Sequence, residues 1–222
     1  GHIVGASNRT SLFSSADFSF GDINWTGQLL YTGRESSSRG FRQFFPVVDG
    51  RAAGFRGNVR PLIPYRLDSD VSVDYWYLAS GFSGGFGPDS SWGWRVDTTY
   101  SRSNGDYTTD GIDRDRTGDL VSTPDRNGGG PPINYLTPAM LNGTGIDALR
   151  DAVGVRYTGN TVYTQMVANA TINGDLFETP AGMAAAAFGT EFRRISINDT
   201  PAEIERTGGH WGFSSATGTV GK

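Results

Sequence analysis

The alternation of apolar and polar residues along "WGWRVDTTYSRS" (92–103) constrains the fold of this chain more than any other feature. Trp92 and Trp94 fall on one parity, and Arg95 and Asp97 fall on the other. Successive side chains of a β-strand point to opposite faces, so the segment predicts a strand with one apolar and one polar face. Such a strand fits a soluble sheet with buried tryptophans. It also fits an outer-membrane barrel whose tryptophans face lipid and whose charges line a polar lumen.

Six segments of this kind form three predicted hairpins, at about 9–35, 70–103 and 161–198. Short joins rich in turn residues close them, at Gly21-Asp22, Gly87–Ser91 and Glu178–Ala181. Long loops are expected at about 36–69, 104–160 and 199–222. Long structureless loops are uncommon in compact soluble domains, whereas short turns at one end and long loops at the other are typical of outer-membrane barrels. We therefore predict an all-β antiparallel fold, an arc of about six strands of a transmembrane barrel, with periplasmic turns and extracellular loops.

Composition argues against several classes of function. The net charge of −4 argues against nucleic-acid binding through phosphate contacts, and the absence of cysteine excludes disulfide frameworks and thiolate zinc sites. No apolar run approaches the length of a transmembrane helix. We expect no cofactor, no metal and no nucleic-acid partner.

Two motifs suggest chemistry only weakly. "GFSGG" (81–85) fits the G-x-S-x-G pattern around Ser83, but that motif requires a following helix and the sequence here leads into another strand. The two histidines, His2 and His210, lie near the ends of the chain. "DYTTDGIDRDRTGD" (106–119) gathers aspartates without the spacing of an EF-hand, so a solvated loop is favoured over calcium binding. We expect no enzyme activity.

The arginine- and aromatic-rich part of the first long loop is the candidate ligand surface, because such residues stack on ligands and bind anions. A basic loop that contacts lipopolysaccharide, or one that packs on its neighbours, is the alternative. The candidate residues are Arg42, Phe44, Phe45, Arg56, Arg60 and Tyr65.

Charged residues in the middle of the strands predict the orientation of the sheet. Their parity places them on the lumen side, with Trp94 and Phe188 facing outward. In the third strand the same analysis assigns Tyr75 and Tyr77 to the apolar face and Trp76 to the polar face. A soluble sheet with one wet face explains the charges equally well, but the aromatic clusters toward both strand ends favour a membrane. The predicted lumen-facing residues are Arg95, Asp97, Glu191 and Arg193.

Three segments resemble the barrel of TonB-dependent outer-membrane receptors: "TSLFSSADFSFGDINWTGQLLYTGRESS", "DLFETPAGMAAAAFGTEFRR" and "WGFSSATGTVGK". The resemblance implies that residues 1–222 are part of such a barrel in the outer membrane of a Gram-negative bacterium, without the plug domain. The whole receptor would import a siderophore, a vitamin or a glycan. Its expected partners are lipid, lipopolysaccharide, the rest of the barrel, the plug and, through the plug, TonB. The alternative is a soluble, secreted β-sandwich that binds carbohydrate.

Overall fold

The computed structural model describes residues 5–88, 91–118, 120 and 132–221. One antiparallel sheet dominates it, and this sheet is not closed. In spatial order its seven strands are β1 (Ala6–Phe20), β2 (Ile23–Phe44), β5 (Ile63–Phe86), β6 (Trp92–Ile112), β7 (Gly154–Thr179), β8 (Gly182–Thr200) and β9 (Thr219–Gly221). A separate two-stranded pair consists of β3 (Val48–Asp49) and β4 (Asn58–Val59).

The short joins lie together at one end of the sheet, which we call the turn end. Gly21 and Asp22 connect β1 to β2, and Gly21 adopts a positive φ of 61° that glycine tolerates without strain. Pro180 and Ala181 connect β7 to β8. The join between β5 and β6 begins at Gly87 and lies partly outside the described residues.

The long strands continue well past the predicted hairpins, so the predicted loop boundaries at 36–69 and 104–160 are corrected. β2 continues to Phe44, β5 begins at Ile63, β6 continues to Ile112 and β7 begins at Gly154. Backbone pairing does not require an apolar face, because every N–H and C=O needs a partner whatever its side chain. The extensions of β2, β6 and β7 are rich in polar residues and glycine and show no regular alternation, whereas the extension of β5 does alternate, with Ile63, Tyr65 and Leu67 on one face, and was overlooked.

The predicted tail at 199–222 also contains a strand. β9 pairs with the end of β8, with Ile197 opposite Gly221. The sheet therefore has seven strands where the pattern predicted about six. β9 was missed because three residues are too few to show an alternation.

Among the described residues, three short α-helices lie at the end opposite the turns, the loop end: α1 (Pro138–Leu141), α2 (Ile146–Val153) and α3 (Glu203–Arg206). The side chain of Thr137 caps α1 by accepting a hydrogen bond from the backbone N–H of Met140, at 3.3 Å. No helix in the described ranges is long and apolar enough to cross a membrane.

Nearly all of the buried apolar side chains also lie at the loop end, where they form one cluster, the loop-end core. Four of its ten side chains are aromatic, and α2 contributes two of the six aliphatic residues. The turn half of the sheet has no comparable packed cluster among the described residues. The loop-end core consists of Phe44, Val48, Ile63, Tyr65, Ile112, Leu120, Tyr135, Leu149, Val153 and Trp211.

Candidate functional site

The register of the sheet separates its two faces. Directly opposed residues of antiparallel neighbours point to the same side, so a row of paired residues can be followed from β1 to β8. One such row is Asp17–Thr26–Gly81–Asp97–Asn169–Glu191. We call the side that carries this row the polar face and the opposite side the apolar face.

The four predicted lumen residues share the polar face. Asp97 and Glu191 belong to the defining row, and Arg95 and Arg193 lie two residues away on the same strands. Arg95 Nε lies 2.6 Å from Asp97 Oδ2, and Arg193 Nη2 lies 3.1 Å from Glu191 Oε1. Exposed ion pairs contribute little to stability, so these four side chains mainly make this face charged and hydrated.

The turn half of the apolar face carries a broad exposed apolar surface, the apolar band. It is five rows high and extends from Ile23 to Tyr31 on β2. Its side chains are not covered: Phe188 is 64% exposed and Phe82 is 44% exposed. The rows are Phe20–Ile23–Gly84–Trp94–Ile172–Phe188, Phe18–Trp25–Phe82–Val96–Ala170–Thr190, Ala16–Gly27–Ser80–Thr98–Ala168–Phe192, Ser14–Leu29–Leu78–Tyr100–Met166–Arg194 and Leu12–Tyr31–Trp76–Arg102–Thr164–Ser196.

The face assignment predicted for the third strand is wrong. Trp76 lies on the apolar face, opposite Tyr31, whereas Tyr75 and Tyr77 lie on the polar face. The register decides this, because Phe82 is paired with Trp25 and shares its parity with Trp76. A longer window over β5 that included Phe82 would have shown the correct parity.

Above the apolar band the same face becomes strongly charged. Asp110 lies 2.8 Å from Arg156 and 3.4 Å from Arg150, and Arg156 also pairs with Asp70. The pKa of Asp70 is lowered, first by a hydrogen bond from Ser37 and then by Arg156. Such a network is favourable in water and costly in hydrocarbon, so this part of the sheet belongs in an aqueous environment.

The predicted ligand surface is only partly a surface. Phe44 and Tyr65 are 0% and 1% exposed and belong to the loop-end core, so neither has surface to offer a ligand. The Phe44 ring lies 6.4 Å from Tyr65 and 4.7 Å from Trp211. Burial raises the pKa of Tyr65 to about 12, although nearby Arg150 opposes this shift. The prediction failed here because the residues that cover these rings are distant in sequence.

The other four residues predicted to bind a ligand remain accessible to solvent. Arg60 lies 5.9 Å above the Phe45 ring, and Arg42 lies 4.1 Å above Phe213, a residue that sequence reasoning missed. Arg56 is exposed. Guanidinium groups over aromatic rings are held in place and still have N–H groups for anions. We call Arg42, Phe45, Arg60 and Phe213 the aromatic–arginine surface.

The segment 201–213, which we call the C-terminal latch, folds back across the loop end of the polar face. Tyr107 Oη donates to Glu205 Oε2 at 2.6 Å, and Tyr157 Oη lies 3.1 Å from His210 Nδ1. His210 is 4% exposed and stacks on Phe213 at 4.3 Å. Nothing in the sequence pattern identified these contacts, since they join positions about fifty to one hundred residues apart.

We predict that the C-terminal latch loosens as the pH falls. Burial lowers the pKa of His210 and the positive charges of Arg42 and Arg114 lower it further, while Glu205 opposes them. The folded state therefore binds a proton less readily than the unfolded state, whose histidine pKa is about 6.5. The stabilisation is complete above that value and is lost as the pH falls below it.

Hydrogen–deuterium exchange of residues 201–213, corrected for intrinsic exchange rates, measures this effect. Protection should fall between about pH 6.5 and pH 5 in the unaltered chain and should stay level in His210→Gln. Equal pH dependence in both proteins would show that another group controls the latch.

The structure provides no support for the hydrolase or calcium alternatives. Ser83 lies between Asn24 and Arg95, and β5 continues to Phe86 without a helix. His210 lies next to Gly111, sixteen steps along β6 from Arg95, which is about 50 Å. His2 lies outside the described residues. Within the described ranges, no group of three or more His, Cys, Asp or Glu residues could hold a metal ion.

Comparison with family models, curated proteins and solved structures finds no match for this chain.

Proposed function

We propose that this chain forms part of the β-barrel of a TonB-dependent receptor in the outer membrane of a Gram-negative bacterium. In this proposal the apolar band faces lipid, the polar face lines the lumen, and the loop-end core lies outside the cell. The whole receptor imports a scarce nutrient such as a siderophore, a vitamin or a glycan. The observation that carries the proposal is the uncovered apolar band on a sheet whose other face is charged.

The height of the apolar band supports a membrane position. It spans nine residues of β2, from Ile23 to Tyr31, and nine to eleven tilted residues cross the hydrocarbon of a bilayer. Aromatic side chains occur at both margins, with Trp94 and Phe188 near the turns and Tyr31 and Trp76 at the upper edge. Aromatic girdles at the two interfaces are typical of outer-membrane barrels.

The difference between the two ends of the sheet supports an orientation with the turn end in the periplasm and the loop end outside the cell. The turn end has joins as short as two residues, whereas the loop end carries three helices, the loop-end core and the charged network. Outer-membrane barrels have the same asymmetry, with short turns on the periplasmic side and long loops on the extracellular side. The aromatic–arginine surface at the loop end would then meet a nutrient arriving from outside.

The described residues do not contain the second sheet that a carbohydrate-binding β-sandwich would need. A sandwich needs a second sheet packed on the apolar face. The described residues contain only the seven-stranded sheet and one pair of two-residue strands. Exposed apolar surface of this extent marks an interaction with a membrane or with another protein.

Surface labelling of intact cells tests the location and the orientation. An epitope inserted at the exposed turn Arg51–Ala53 should be reached by antibody on intact cells, with the chain in the outer-membrane fraction. The matched insertion at Gly21-Asp22 should be reached only after the outer membrane is permeabilised. Recovery of both tagged chains in the soluble fraction would contradict the proposal.

Growth assays test the transport function. Deleting the coding segment should abolish TonB-dependent growth on one scarce nutrient from a panel of ferric siderophores, vitamin B12 and glycans. Unchanged growth on every nutrient, by a strain shown to depend on TonB for each of them, would refute import by this receptor while leaving the membrane location to the labelling experiment.

A further inference from the structure

Two arginines lie directly opposite each other on the polar face, above the level of the apolar band. Arg9 of β1 is paired with Arg34 of β2. Arg34 follows three residues after Tyr31, which stands at the upper edge of the apolar band, so the pair lies about 10 Å farther from the turn end. In the proposed orientation these two side chains face the extracellular part of the lumen.

Neither arginine has a counter-charge. Both side chains are exposed, and neither forms an ion pair or a hydrogen bond with any described residue. On the polar face of the described strands β1, β2 and β5 the only acidic residue is Asp17, eight residues from Arg9, or about 26 Å. The carboxylates of Glu35 and Asp74 belong to the apolar face, on the other side of the sheet.

This arrangement is unfavourable without a bound anion. Like charges on directly opposed strand residues destabilise a sheet, because the Cβ atoms of such a pair lie only about 4.5–5.5 Å apart. Arg95, lower on the same face, shows the contrast, since Asp97 lies 2.6 Å from it. An anion held between Arg9 and Arg34 would replace their repulsion by charge-assisted hydrogen bonds.

Hydroxyl groups surround the two arginines. The row above them contains Ser7 and Ser36, and the row below contains Ser11 and Thr32. Ser11 Oγ lies 3.3 Å from Thr32 Oγ1, and each hydroxyl keeps further hydrogen-bonding capacity. Hydroxyl and guanidinium donors together suit the oxygens of a carboxylate, a phosphate or a sulfate group. We call the two arginines and these four hydroxyl residues the arginine-pair site.

The same face of β2 carries another arginine nearer to the loop end. Arg42, part of the aromatic–arginine surface, lies eight residues beyond Arg34, or about 26 Å. Only Ser36, Ser38 and Gly40 lie between them on this face of β2. An anion that arrives at the loop end would therefore meet two positively charged positions in succession, with no acidic side chain of β2 between them.

We propose that the arginine-pair site binds an oxyanion group of the imported nutrient, and that this nutrient is an anion at neutral pH. Adjacent guanidinium groups can each donate paired N–H groups to a carboxylate, a phosphate or a sulfate. A siderophore or a glycan that carries such groups fits the site, whereas a neutral sugar does not. This inference rests on the proposed function, because the two arginines face the lumen only if the apolar band faces lipid.

Modification of arginine by phenylglyoxal, read by mass spectrometry of the complete receptor in detergent, tests the anion site directly. Inorganic phosphate is the probe, compared with chloride at the same ionic strength. Phosphate should slow the modification of Arg9 and Arg34 and should leave that of Arg102 and Arg194 unchanged. The latter two are the matched control, since they are also exposed and form no ion pair with any described residue but lie on the apolar face.

Uptake of the nutrient identified by the growth assays tests the link to transport. The nutrient should be negatively charged at pH 7, and Arg9→Gln/Arg34→Gln should raise its half-saturating concentration roughly 100-fold, about tenfold per arginine. Arg9→Lys/Arg34→Lys should recover part of this loss, because it keeps the charges without the paired donors. Arg102→Gln/Arg194→Gln should leave uptake unchanged.

Urea denaturation of the complete receptor separates binding from folding. Arg9→Gln/Arg34→Gln removes two charges that repel each other, so this variant should resist urea at least as well as the unaltered receptor. A marked loss of resistance would mean that the arginines are paired with acidic groups elsewhere in the receptor, and it would overturn the inference.

The remaining outcomes distinguish this inference from the proposed function. Arg9 and Arg34 that resist phenylglyoxal before phosphate is added, or that react equally with and without it, would refute the anion site. Uptake of an uncharged nutrient, or uptake unaffected by the double glutamine variant, would refute the inference and leave import by this receptor intact. Growth that depends on this segment for no nutrient would refute the proposed function itself, whatever the labelling shows.

Discussion

Replacing Ala168 by arginine should prevent stable insertion of the complete receptor that contains this chain into phospholipid vesicles. Ala168 lies on the apolar face in the third of the five rows of the apolar band, between Thr98 and Phe192. An arginine on the lipid face near the middle of the bilayer costs about 2–4 kcal/mol, which shifts the folding equilibrium roughly 30- to 1,000-fold. Urea titration of the vesicle-bound receptor, followed by tryptophan fluorescence, measures the loss.

The adjacent residue provides the matched control. Asn169 lies on the polar face between Asp97 and Glu191, so an arginine there gains two carboxylate neighbours. Asn169→Arg should therefore insert as well as the unaltered chain. If Asn169→Arg were the more damaging of the two, the assignment of the faces would be inverted.

Replacing Phe44 by alanine should destabilise the loop end by about 3–5 kcal/mol, the usual cost of removing a buried phenylalanine ring. Phe44 is fully buried, and its ring lies 5.6 Å from Tyr135 and 4.7 Å from Trp211. A cavity there would loosen β2 and the C-terminal latch together. Hydrogen–deuterium exchange at residues 40–44 and 208–213 should accelerate, while exchange in the turn half stays unchanged.

Phe41 supplies the comparison, since it lies on the same strand but is 75% exposed. Phe41→Ala should change loop-end exchange very little. Equal effects of the two substitutions would mean that the loop-end core does not stabilise this region. The pair also separates packing from ligand contact, because Phe44→Ala should weaken ligand binding only to the extent that the loop end unfolds.

The turn half of the fold was readable from sequence because each of its signals is local. The turns at Gly21-Asp22 and Pro180-Ala181 need only a few neighbouring residues, and the parity of Arg95 and Trp94 survives any error in strand length. Trp76 was misassigned because tyrosine and tryptophan alternate along β5, so either parity looks apolar over a short window.

The loop end could not be predicted in the same way. Most of its strand segments show no regular alternation, and its core joins Phe44, Tyr135 and Trp211 from three distant parts of the chain. The sequence showed that arginines and aromatic rings were concentrated near Phe44, but which rings are buried depends on what packs over them. The same limit applies to the Tyr157–His210 contact, which unites β7 with the C-terminal latch.

The central claim is that the apolar band faces lipid, and a spin-label scan along β6 tests it most directly. The chain has no cysteine, so single cysteines at positions 92–101 can each be labelled alone. With the complete receptor in vesicles, labels at even positions such as 94, 96 and 98 should be accessible to oxygen and protected from a water-soluble relaxing agent, and labels at odd positions should not. Equal access of the water-soluble agent to both sets, with no two-residue period, would contradict the account.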